Sequence, residues 1–117
     1  MANYLVIASY TPDGTRGLLE KGGTARADSV KRAVEGLGGK VHSFYFAFGD
    51  DDVYTHVEVP DNIAAAALGL TVSSTGLVSA RTVVLLTPAE IDEAFDLEHH
   101  LRHAGAIIDR ALADAVD

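Results

Sequence analysis

The chain has 117 residues, 48% hydrophobic and 22% charged, the size and composition of one globular domain rather than a disordered segment. It has no cysteine, which excludes disulfides, thiolate metal sites and a cysteine nucleophile, and fits a reducing, cytoplasmic setting. The formal charge is −8, and this acidic balance argues against a nucleic-acid partner, whose phosphates it would repel.

The excess of acid is uneven. Residues 1–40 hold six Lys/Arg against four Asp/Glu, whereas residues 41–117 hold three against thirteen. The opening MANYLVIASYT has no basic stretch before its apolar run, so no secretory signal is expected. No apolar run approaches the ~20 residues of a membrane span, so no membrane partner is expected either.

Asn3 to Thr11 reads as a first strand, with Tyr4, Val6, Ala8 and Tyr10 on one side by alternation. Thr11-Pro12-Asp13-Gly14 carries turn chemistry, and a polar, glycine-containing loop is expected to continue to Gly23. A first helix follows from about Thr24 to Leu37, where Ala27, Val30, Val34 and Leu37 recur at helical spacing. Gly38-Gly39 stops it. Lys40 to Phe48 and Val53 to Val59 read as two strands joined by a hairpin at Gly49-Asp50-Asp51-Asp52.

Pro60 ends the second of these strands and Asp61 caps a second helix, Asn62 to about Ser74, with Ile63, Ala66, Ala67 and Leu70 on one face. Leu77 to Thr87 is a fourth strand. Thr87-Pro88-Ala89-Glu90 then has the signature of a helix start, with a capping residue, proline at the first helical position and the glutamate of a capping box. The helix is expected to run to about Val116, with Gly105 marking where it could bend.

The order is βαββαβ, an α+β chain of the ferredoxin-like type with an antiparallel four-stranded sheet and a C-terminal helical extension. Residues 1–95 form the domain and 96–117 the extension. Two helices on one side of the sheet leave the other side bare, and pairing with a second copy is the simplest cover.

The stretches YLVIASYTPDG, GG-T-AR, LGGKVHSFYFAFGDDDV, VPDNIAAAALGL and RTVVLLTPAEIDEA, in this order over roughly residues 3–95, resemble the GYD-domain family of small bacterial proteins. That family is grouped with dimeric α/β-barrel proteins. The resemblance implies two units packed sheet to sheet, with a cavity between sheet and helices or within the barrel, in a group that includes small monooxygenases, ligand-binding proteins and muconolactone-isomerase-like enzymes. It implies no cofactor or reaction for this chain. The Gly-Tyr-Asp of the family name is altered here: Gly49 and Asp52 remain, but no tyrosine stands between them.

Period-2 alternation puts His42, Phe44, Phe46, Tyr54, His56 and Glu58 on one side of the hairpin and Val41, Ser43, Tyr45, Ala47, Thr55, Val57 and Val59 on the other. The first set mixes aromatics with titratable groups. In a cavity, His56 with Glu58, or Tyr10, would serve as acid–base groups, while Arg16, Phe44, Phe46 and Tyr54 would bind a ligand. Tyr10 ends a strand and Arg16 lies in the loop after it, a common place to hold a ligand.

His99 and His103 stand four apart on the last helix, but two imidazoles do not make a closed metal site, and no metal is assigned. Asp50, Asp51 and Asp52 lack the spacing of a calcium loop and read as a solvated turn. Two functions stay open on the residues alone. One is a homo-oligomeric small-molecule-binding protein or cofactorless enzyme. The other is an interaction protein that assembles through its bare sheet face and the helical stripe Leu97, Leu101, Ala104, Ile108 and Leu112, with no catalysis.

Overall fold

The computed structural model describes the backbone of residues 1–116 and the side chains of residues 1–105. The elements are β1 (Ala2–Tyr10), α1 (Pro12–Lys21), α2 (Gly23–Gly36), β2 (Lys40–Phe46), β3 (Val53–Val59), α3 (Asn62–Ser74), β4 (Val78–Leu85) and α4 (Pro88–Val116). The four strands form one antiparallel sheet in the order β2-β3-β1-β4. This is the ferredoxin-like α+β arrangement, with a C-terminal helix after it. Met1–Leu85 is one compact unit, and the segment from Leu86 onward is a second.

One helix was absent from the expected elements. Pro12–Lys21, expected as a loop, is helical. Thr11 caps it by accepting the Gly14 N–H on Oγ1, and Pro12 occupies the first turn, where a missing N–H costs nothing. Gly14 is buried, and a Cβ there would overlap the carbonyl oxygen of Leu77. The glycine therefore marks a close approach of α1 to the chain entering β4 rather than a turn. Gly22, at φ +87°, reverses the chain between α1 and α2, a backbone region that side chains with a Cβ rarely enter.

The core of the first unit joins Tyr4, Val34, Val57, Val59, Ala65 and Leu68. Val30 and Leu37 of α2 pack against this cluster, as their spacing predicts. Tyr4 is almost fully buried and directs its hydroxyl to the side chain of Asn62 at the start of α3. On α3 the core face is Ala65 and Leu68 with Ala64 and Val72, whereas Ile63 and Leu70 are exposed. The expected face, Ile63, Ala66, Ala67 and Leu70, is thus rotated. The helix is apolar nearly all round, so its periodicity could not choose a side.

The sheet pairing corrects the hairpin faces. Val41 pairs with Val57, but Ser43 pairs with His56, so the ladder skips His42 in a β-bulge. A bulge adds one residue, and every residue after it on β2 changes sides. Phe44 and Phe46 consequently pair with Thr55 and Val53 on the helix side, and Ser43 and Tyr45 lie on the other side with His56 and Tyr54. Two rows cross that second side: Tyr45, Tyr54, Ile7 and Arg81, then Ser43, His56, Leu5 and Val83.

Thr87 and Glu90 form the expected capping box at the start of α4: the Thr87 N–H donates to Glu90 Oε1 at 2.9 Å and the Glu90 N–H donates to Thr87 Oγ1 at 3.1 Å. These bonds hold the Glu90 carboxyl below its ordinary range. The helix continues through Gly105. Ile108 and Leu112 of the proposed stripe lie outside the residues whose side chains are described. Among the described residues, no helix is long and apolar enough to cross a membrane.

Candidate functional site

Two adjoining cavities occupy the helix side of the sheet at the C-terminal end of β1. The inner one, ≈ 40 Å³, lies under α2 and α3 among Val6, Val30, Phe44, Thr55 and Leu68. The outer one, ≈ 150 Å³, lies between α1 and α2, lined by Gly17, Leu18, Lys21, Ser29 and Leu77. Tyr10 and Arg26 line both. An apolar cavity of about 150 Å³ suffices to take up benzene.

Local sequence explains each wall. Tyr10 points to the helix side because it follows Tyr4, Val6 and Ala8 at period 2. Arg26 stands four residues before Val30, so one face of α2 carries both toward the sheet. The Arg26 guanidinium lies over the Tyr10 ring, 5.9 Å from its centroid, a cation–π distance. Thr55 is buried and satisfied, donating its hydroxyl to the Ser43 carbonyl at 2.7 Å. Arg26 Nε is buried and has no hydrogen-bond partner among the described residues.

The aspartates of the β2–β3 connection are not a merely solvated turn. Asp52 N–H donates to the Ala8 carbonyl at 2.9 Å, and Asp52 Oδ2 accepts the Tyr10 N–H at 2.8 Å. Asp51 accepts from the Ser9 hydroxyl at 3.1 Å and from the Arg81 guanidinium at 3.0 Å. The Arg81 hydrogen bond is the main cause that holds the Asp51 carboxyl below its ordinary range. The loop thereby clamps the end of β1, and with it the backbone of Tyr10.

A second cluster lies on the opposite side of the sheet. The His42 and His56 rings stack with centroids 4.6 Å apart. His42 Nε2 is 2.8 Å from Glu58 Oε1, and His56 Nε2 is 2.9 Å from Asn3 Oδ1. Alternation from Val41, which pairs with Val57 on the helix side, puts His42 here. His56 lines neither of the two cavities.

The residues expected to share one site therefore divide. Tyr10 and Phe44 line the cavities, and Phe46 lies against Gly23 at the start of α2. His56, Glu58 and Tyr54 stand on the other side of the sheet. Arg16 is exposed and pairs with Asp13 one turn before it on α1. Sequence reasoning overlooked Arg26 and His42. The spacing of Arg26 from Val30 carried a usable signal. Alternation had already put His42 on the side of His56 and Glu58, where it stacks on His56, although it was not singled out as a site residue. Among the described residues, no group of three His, Asp or Glu side chains gathers as a metal would need.

The sequence model of the GYD domain matches residues 4–95. A search of the curated proteins finds no match.

Proposed function

For a chain that belongs to the GYD domain family, by a match over residues 4–95, we propose a small-molecule-binding role seated in the paired cavities beside Tyr10. The observation that carries this reading is the shared wall: Tyr10 and Arg26 line both cavities, so one ligand can span them. The inner cavity is walled mostly by apolar side chains and the outer one adds Lys21 and Ser29, the mix of apolar wall and few polar groups usual in a small-ligand site. Open space beside Gly17, where an added Cβ would meet nothing within 4 Å, offers a way to block it.

The test is amide NMR of the chain titrated with benzyl alcohol, a neutral probe of the cavity's size. Saturable shifts at Tyr10, Gly17 and Leu18 are expected, and Gly17→Leu should abolish them while leaving the rest of the spectrum unchanged. Shifts confined to the His56 side of the sheet would sink the reading.

A second reading is that of an interaction protein. Tyr45 and Val83, 69% and 40% exposed, stand on the side of the sheet away from α2 and α3, and a second copy would cover them. Native mass spectrometry of the wild type and of Val83→Asp separates the two readings. An integer assembly lost in the variant supports the homo-oligomer, and a wild-type monomer overturns it. Assembly with no cavity binding would leave the interaction role alone.

A further inference from the structure

We infer that the ligand of these cavities is a small organic carboxylate with an apolar body, held by Arg26 with Lys21 at the mouth. The inference rests on the cavity reading above and adds the chemical class. Three observations meet at one place. Arg26 Nε is a buried donor left without a partner. A buried polar atom is normally hydrogen-bonded, because leaving it unpaired costs its full desolvation. Lys21 and Ser29 line the outer cavity with Arg26, and among the described residues no aspartate or glutamate lines either cavity.

Charge elsewhere sharpens the contrast. The whole chain carries a formal −8, yet among the described residues this wall holds two cations and no carboxylate. Arg16, Arg81 and Arg102 each pair with an acid, Asp13, Asp51 and Glu98 respectively. Arg26 instead lies over Tyr10 with its Nε open. A guanidinium so placed offers a charge-assisted hydrogen bond to a carboxylate. The outer cavity, the larger of the two, would take the apolar body against Tyr10, Leu18 and Leu77.

Calorimetric titration with benzoate, benzyl alcohol and inorganic phosphate tests this. Benzoate should bind at least about tenfold more tightly than benzyl alcohol, the worth of one hydrogen bond to a charged group. Inorganic phosphate, with no apolar body, should bind more weakly than benzoate. Arg26→Met should remove the preference for benzoate while benzyl alcohol still binds. Its ligand-free melting temperature should not fall, because it deletes an unpartnered donor. Lys21→Gln, at an exposed position, should weaken benzoate a few-fold without altering the fold, and keeps the test open if Arg26→Met does not fold.

Equal affinity for benzoate and benzyl alcohol would overturn the carboxylate inference and leave the cavity reading standing. Binding of neither would sink both. Phosphate bound as tightly as benzoate would reduce the site to an ion site and overturn the apolar body. An Arg26→Met variant that melts lower and still prefers benzoate would make Arg26 a structural residue.

Discussion

The backbone N–H of Tyr10 donates to the carboxylate of Asp52 at 2.8 Å, across 42 positions of sequence. β3 begins at Val53, so this bond extends the β1–β3 ladder one step past its last backbone pair. It explains why an aspartate serves at the end of the connection: its carboxylate reaches where no strand carbonyl is available. It also fixes the residue that walls both cavities.

Asp52→Ala should lower stability by about 1 kcal/mol, the net worth of one such hydrogen bond, and should loosen Tyr10. Urea unfolding measures the first effect. Faster hydrogen exchange at the Tyr10 amide, with exchange in β4 unaltered, measures the second. Unchanged exchange at Tyr10 would remove the clamp from the account.

Gly14 and Gly17 lie one turn apart on α1 and should respond to alanine with opposite signs. At Gly14 the new Cβ meets the Leu77 carbonyl, which as backbone cannot turn aside. Overpacking of this kind costs about 1–3 kcal/mol. At Gly17 the Cβ meets nothing within 4 Å, and alanine in a helix is favoured over glycine by about 0.5–1 kcal/mol. Thermal unfolding of the two variants, read as melting temperatures below and above wild type, checks the pair. A stable Gly14→Ala protein would mean that α1 does not approach β4 so closely.

The Asp51–Arg81 pair predicts a pH dependence. The folded-state pKa of Asp51 lies below its unfolded value, so its contribution is fully present above the unfolded pKa. It is lost as pH falls through the folded pKa. Arg81→Gln removes the largest cause of the shift. Urea unfolding at a series of pH values below about 5 should therefore give the variant a shallower loss of stability than wild type. Parallel curves would show that the pair makes no difference to folding.

Some of this molecule was readable before any coordinates. Strand β3 and helix α3 fall on the residues expected, because Val53 to Val59 alternates cleanly and Asp61 caps Asn62. The capping box at Thr87 and Glu90 was equally plain. Thr11-Pro12 carries the same helix-start signature as Thr87-Pro88, yet Gly14 made it read as a turn. A glycine needed for close packing and a glycine needed for a turn look alike in sequence, and only the neighbouring Leu77 carbonyl tells them apart.

By itself, then, the sequence determined the order of strands and helices apart from α1, and the caps of α3 and α4, all of which depend on neighbours within a few residues; the family was legible in motifs spread over residues 4–95. Tertiary structure alone decided that Phe44 and Phe46 leave the side of Tyr54, His56 and Glu58. The bulge at His42 turned Phe44 and Phe46 to the helices. The rotation of α3 was settled by what it packs on, since its own apolar surface has no preferred side. The Arg26 site arose in the same way. A buried nitrogen without a partner is a property of everything around it, and no local pattern of residues encodes that.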